Sequence, residues 1–376
     1  MAIVLLVSLL LVFHGYFGYP LSLYILSLVR RKVVHKAPFS PRVTFIITAF
    51  NEEKRIRQKL ENTVALTYPR ELLQVMVASD GSTDKTNDIV REFAARGVEL
   101  LEVKLRGGKE NAQKEAVAAA GGDVLVFSDV ATIIDPDSFR HMMENFADPS
   151  VGSVSSEDRI TGRNGEPCGE GFYVRYEMWL RDLEGSVNSL VGLSGSFFAA
   201  RKEVCRDFSA DMQSDFRTLL NSMRLGLRGV SDPRVIGHYQ DVADSSREFD
   251  RKIRTVLRGL TVFFKNLEFL NVFRYGLFSY QFFCHKLLRW LVPFFLAIAL
   301  ASNALLAGTH PVFLYLFLLQ VAFYLLAFVG WRSAASAKRV PVKIPLYFTT
   351  VNLAIAVAWF RYLRGTRMVM WTPSER

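Results

Sequence analysis

The sequence predicts an α/β domain on a mostly parallel sheet, bracketed by membrane helices. Three observations lead there. Between residues 43 and 128, short apolar runs alternate with helical ones, the order that gives crossover connections and a parallel sheet. Residues 2–29 contain no Asp, Glu, Lys or Arg, a run long enough to cross a bilayer with some tilt. Residues 290–331 are equally free of charge, and 50% of the 376 residues are hydrophobic, a high share for a soluble enzyme.

Taken in order, the first uncharged run is too long for the apolar part of a signal peptide, and no small-residue cleavage site follows it. It reads as a retained anchor. Arg30, Arg31, Lys32 and Lys36 come directly after it, which puts residues 30 to about 290 in the cytoplasm by the positive-inside rule. Val43–Thr48 then reads as a buried strand and 51–66 as a helix. A strand at 74–79, a helix at 84–96, a strand at 98–104, a helix at 110–120 and a strand at 123–128 repeat the theme. Two spans fit within 290–331, joined at Ala307-Gly308-Thr309-His310. A third uncharged run, 344–360, is borderline in length. Arg361, Arg364, Arg367 and Arg376 beyond it also favour the inside, so a re-entrant or interfacial segment is expected. The expected organisation is an anchor with its basic flank (1–36), a cytosolic domain (37–250), an interface-helix region (251–285) and a carboxyl-terminal membrane region (286–376).

The net charge is +10, much of it beside the apolar runs. Anionic lipid headgroups account for it at least as well as nucleic acid, and no nucleic-acid partner is expected. Cys168, Cys205 and Cys284 show neither metal-ligand nor redox spacing and read as reduced, packed thiols.

In parallel sheets ligands bind beyond the carboxyl ends of the strands. Three such ends read TAFNEE, SDGSTD and SDVAT. Asp80, Ser82 and Asp84 suit a turn and a helix cap, which is the plainer reading of one end alone. Three polar ends on one edge of a sheet favour a site. Arg106 and Lys109 sit at the start of a helix beside Gly107 and Gly108. The macrodipole disfavours cations there unless an anion binds, and the glycines let backbone approach a phosphate. The spacing is not that of a P-loop. Further on, Arg251, Arg254, Arg258 and Lys265 fall on one helical face, opposite Ile253, Val256, Leu257, Leu260, Phe264 and Leu267. That pattern describes a helix lying in the membrane interface.

TAFNEE, VASDGSTDKT, GGK and VFSD, followed by EGFYVRYEMWLRDLE, GLSGSFFAARKEV, QSDFR and EFDRKIRTVLRG, occur in an order that resembles the family 2 glycosyltransferases of GT-A fold. Membrane members include cellulose, chitin and hyaluronan synthases. The resemblance implies that Asp80 meets the nucleobase, that Glu52 and the backbone at Ala49 line the same pocket, and that Lys109 meets the diphosphate or donor sugar. Asp129 matches the first acid of the family's D-x-D, but Ala131 stands where the second would be. Magnesium commonly takes one or two carboxylates, substrate phosphate oxygens and water, so Asp129 suffices for Mg2+ or Mn2+ if the diphosphate supplies the rest. His238 is a further candidate ligand, although a lone histidine after a strand is more often structural. Asp215 in QSDFR matches the catalytic base, while its place in a helical first turn also suits an ordinary dipole partner.

Arg251 and Arg254 fall at the family's Q-x-x-R-W motif, with Thr255 in place of the Trp that stacks the acceptor sugar. The implied activity is an inverting, metal-dependent transfer from a nucleotide sugar, a UDP-sugar first, to a growing cell-surface glycan at the cytoplasmic face. The alternatives are transfer of a single sugar to a polyprenyl-linked acceptor and, in another class, an inactive nucleotide-binding scaffold. Too few spans are expected to form a polymer channel unaided, so a homo-oligomer or a secretion partner is also an expectation.

Overall fold

The computed structural model describes residues 1–161, 171–240 and 245–368, so Cys168 lies outside the described residues. It divides into two compact units: Leu23–Ala243, and Met1–Ser22 together with Asp244–Arg367.

The first unit is built on an eight-stranded sheet of order β3-β2-β1-β4-β7-β6-β8-β5. β1 (Val43–Ala49), β2 (Leu73–Ser79), β3 (Val98–Glu102) and β4 (Val124–Asp129) pair in parallel, as the sequence predicts. β1 reads VTFIITA and is buried throughout, because helices cover both faces of this half of the sheet. Alternate residues serve the two faces. Phe45, Ile47, Val75 and Val77 meet Ile56, Leu60 and Val64 of the helix Ile56–Val64, while Ile46, Met76 and Ala78 meet Ala112 and Ala116 of the helix Lys109–Ala119. Each large apolar side chain buried this way contributes roughly 1.5–3 kcal/mol.

Beyond β4 the sheet turns mixed. β7 (Phe197–Arg201) is antiparallel to β4 and to β6 (Val151–Thr161), β6 is parallel to β8 (Arg228–Gln240), and the short β5 (Ile133–Ile134) is antiparallel to β8. The parallel expectation therefore describes one half of the sheet.

The register sets the functional edge. Ala49 pairs with Ser79, the residue before Asp80, and Thr48 pairs with Asp129. Ser128 opposes Phe197, so the loop ending at Ser196 joins the same edge.

The segment after the anchor runs extended along this unit. Lys32 N–H donates to the Ser186 carbonyl (2.6 Å), and the Arg228 guanidinium donates to the carbonyls of Lys32 (3.1 Å) and Val33 (3.0 Å). Lys32 Nζ donates to Asn188 Oδ1 (3.1 Å), and Lys36 Nζ lies 2.9 Å from the fully buried carboxylate of Asp232. Burial alone would raise the Asp232 pKa, but hydrogen bonds from Arg234, Lys36 and Asn145 outweigh it and hold the carboxyl far below its ordinary range. Two of the four cations read as a lipid-facing flank are thus engaged by protein.

The second unit is helical. Among the described residues, four helices are long and apolar enough to cross a membrane: Ala2–Val29, Leu277–Leu306, Pro311–Arg332 and Val340–Leu363. The last contains the segment expected to be re-entrant or interfacial. It is one continuous helix that takes in Lys343 and Arg361 near its ends, so counting only the uncharged run underestimated its length. The helix Ser245–Phe264 has the amphipathic character expected of an interface helix. Its Ile253 and Leu257 pack with Ala354 and Ala358. Gly259 permits close packing there, since a Cβ would fall 2.9 Å from the Trp290 ring. Trp359 Nε1 donates to the Trp290 carbonyl (2.9 Å). Cys205 and Cys284 are buried free thiols, as expected.

Candidate active site

The edge formed by β2, β1 and β4 carries the polar ends read from the sequence. Asp80 follows β2, and its N–H donates to the Ala49 carbonyl (2.9 Å). The Asp80 carboxylate is buried and accepts from the N–H groups of Gly107 (2.9 Å) and Gly108 (2.8 Å), one on each oxygen. Gly108 has φ 92°, a left-handed conformation that favours glycine. The GGK glycines thus bind the loop to the Asp80 carboxylate. Beside it the Arg106 guanidinium stacks 3.8 Å from the centroid of Phe50.

Glu52 is buried, and its carboxylate is held bidentately by Arg55 (Nε to Oε2, 2.8 Å; Nη2 to Oε1, 2.9 Å). Burial raises its pKa, and Arg55 opposes the rise. Glu52 is thus tied to Arg55, three residues on, at the start of the helix Ile56–Val64.

Lys109 opens its helix and is largely buried. Its ammonium lies 2.5 Å from Asp129 Oδ1 and 2.8 Å from the Gly195 carbonyl oxygen. Asp129 ends β4, and its N–H donates to the Ser196 carbonyl (2.9 Å); 27% of its side chain is exposed. Asp215 sits in the first turn of the helix Ser214–Arg224, buried, with Oδ2 accepting from Gln213 Nε2 (3.1 Å). Gly195 faces it, since a Cβ there would lie 3.4 Å from Asp215 Oδ2. Asp129, Lys109, Gly195 and Asp215 thus form one contiguous group, a partly open carboxylate at one end and a buried one at the other.

The metal expectation meets a sparse donor set. His238 Nε2 lies 3.0 Å from Asp135 Oδ1. Among the described residues no group of three or more His, Cys, Asp or Glu is placed to hold an ion. The residues fit a cation held by Asp129 and completed by substrate oxygens and water, rather than a protein cage. Arg251 and Arg254 belong to the helical unit and are half-buried on the helix Ser245–Phe264. Thr255 Oγ1 donates back to the Arg251 carbonyl (2.9 Å) and offers no stacking surface.

Two features of this edge escaped the sequence reading. The Asp158 carboxylate accepts from the hydroxyls of Ser156 (3.1 Å), Ser194 (2.7 Å) and Ser196 (3.0 Å). The serines in SSED and GLSGSF are the only sequence signal for it. Lys59, on the helix Ile56–Val64, is fully buried beneath the Asp129 turn, and burial lowers its pKa to about 7.

A mixed sheet with acidic strand ends, a glycine loop opening a helix and a buried acid at another helix start is an arrangement of the GT-A type. Residues 44–207 match the family model "Glycosyl transferase family 2". The chain is similar to the poly-beta-1,6-N-acetyl-D-glucosamine synthases of Staphylococcus epidermidis (25% identity; 44% of this chain, 40% of the relative) and Staphylococcus aureus strain COL (27%; 50% and 46%). It aligns with less than half the length of these relatives. Among solved structures, a mannosyltransferase from Pyrobaculum calidifontis in complex with GDP-Man and Mn2+ shares the fold over 97% of this chain and 100% of its own, at TM-score 0.71 and 24% identity.

Proposed function

We propose that this protein transfers a sugar, with inversion, from a nucleoside diphosphate sugar to a glycan or lipid-linked acceptor at the cytoplasmic face of a membrane. The observation that carries the reading is the contiguous group Asp129–Lys109–Gly195–Asp215 at the sheet edge, beside the Asp80 pocket. The curated relatives are polysaccharide synthases by name, which supports glycan synthesis. The four apolar helices support a membrane setting.

The residues have these roles. Asp80 accepts a ring N–H of the base, so donors with such a donor group, uracil or guanine, are favoured over adenine and cytosine. Lys109 leaves Asp129 for the diphosphate when the donor binds, a short move for a flexible ammonium. Asp129 is the residue that would hold Mg2+ or Mn2+. When bound, such a cation neutralises charge developing on the leaving group. Asp215 takes the proton of the acceptor hydroxyl as it attacks the anomeric carbon. With Thr255 in place of a stacking tryptophan, a single transfer or a short product is the expected outcome.

The test is a panel of UDP- and GDP-sugars offered to the full chain in detergent with Mg2+ or Mn2+, reading nucleoside diphosphate release and product size. Nucleotide binding without sugar-dependent release under any condition would favour an inactive scaffold instead.

A further inference from the structure

Lysine is seldom fully buried, and an ammonium taken out of water costs several kcal/mol unless it is well bonded. Lys59 is 0% exposed in the middle of the helix Ile56–Val64, on the face that carries Ile56 and Leu60 into the core. Another apolar side chain would pack there at no such cost, so the fold alone does not call for the charge. Its contacts point elsewhere. Nζ donates to Ser128 Oγ (2.8 Å) and to the Thr132 carbonyl (2.6 Å), and lies 5.3 Å from the Phe45 ring centroid. Ser128 and Thr132 are the two ends of the turn that holds Asp129, and Thr132 N–H donates to the Asp129 carbonyl (3.2 Å). Ala131 leaves Asp129 as the turn's one acid, so its orientation matters more than in a site with two.

We infer that Lys59 is a positioning residue: it fastens both ends of the Ser128–Thr132 turn and so fixes the direction in which Asp129 meets the donor's diphosphate and cation. This rests on the role proposed for Asp129. Lys59 touches no reacting atom. It acts through Ser128 and Thr132, and its loss leaves Asp129 present but misdirected.

The experiment compares the full-length wild type with Lys59→Met, Ser128→Ala and Asp129→Ala. It measures thermal unfolding, metal-free binding of nucleoside diphosphate, bound Mn2+ by electron paramagnetic resonance with nucleoside diphosphate present, and kcat and KM separately. Lys59→Met should unfold no earlier than wild type at neutral pH and bind metal-free nucleotide normally. Its Mn2+ affinity and kcat should fall about tenfold, the scale of losses when a supporting partner of a metal ligand is removed. Ser128→Ala should shift both in the same direction by about threefold. Wild-type Mn2+ affinity and kcat in Lys59→Met overturn the inference, and so does tighter Mn2+ binding, which would mean that Lys59 acts only by repulsion. If Lys59→Met does not fold, a silent Ser128→Ala overturns it. A silent Lys59→Met beside an inactive Asp129→Ala removes this inference alone, whereas full turnover by Asp129→Ala removes the functional reading and the inference together.

Discussion

Lys109 reaches across from the first turn of its helix to stand 2.5 Å from Asp129, the lone acid at the end of β4. A cation and a carboxylate so close make a strong, directional hydrogen bond. Replacing Lys109 by Met should leave Asp129 in place but lower kcat by about 100-fold, the scale seen when one stabilising donor is lost at a developing anion. Steady-state kinetics at saturating donor and metal check this; a change confined to KM would mean that Lys109 only binds the donor.

Asp215→Asn should abolish transfer while nucleotide affinity stays within about twofold, since the change is nearly isosteric and the proposed role is proton acceptance. Isothermal titration with nucleoside diphosphate, run beside a transfer assay, separates the two. Joint loss of both would make Asp215 a structural helix-start acid.

Asp80→Ala should weaken nucleotide binding about tenfold or more, because it removes the acceptor for the base and frees the Gly107–Gly108 loop at once. Binding curves for UDP, GDP, ADP and CMP show whether selectivity for a ring N–H falls with affinity. Uniform weakening without loss of selectivity would assign Asp80 to the loop alone.

Stability should depend on pH through Asp232. Its folded pKa is depressed, so the paired carboxylate stabilises the fold above its unfolded pKa of about 4, and that contribution fades as pH falls through the unfolded value towards the folded one. Wild type should exceed Asp232→Asn in melting temperature at pH 7, with the gap narrowing progressively below about pH 4. A gap that does not narrow in acid would rule out the charged pairing with Lys36 and Arg234 as its source.

Lys59 has the opposite profile. Its folded pKa is lowered to about 7 by burial, against an ordinary value of 10.5. Below pH 7 the full cost of burying its charge is present, and it is relieved as pH rises from 7 towards 10.5. The melting advantage of Lys59→Met over wild type should therefore be greatest below pH 7 and shrink by pH 9. An advantage that grows with pH would contradict the burial.

The parallel half of the sheet was legible because each strand is a short apolar run ending in polar residues, and register then brings Ala49, Asp80 and Asp129 to one edge. β6 and β8 were not legible, because their partners lie far apart in the chain and no local pattern specifies such pairing. Glu52 and His238 were recognised as polar groups near strand ends, but their neighbours Arg55 and Asp135 depend on side-chain geometry that spacing does not encode. Lys59 illustrates the limit most plainly. In KRIRQKLEN it is one more cation on a charged helix, and only the packing of that helix against Phe45 and the Ser128–Thr132 turn makes it an interior residue.

The extended stretch from Lys32 to Ala37 behaves as part of the catalytic body rather than as a leash. A soluble fragment cut at the start of β1 would strip Arg228 of two carbonyl acceptors and leave Asp232 without Lys36. Expression trials that trim the anchor should therefore begin near Arg30, and poor yield from a later start would reflect those lost bonds rather than a need for lipid.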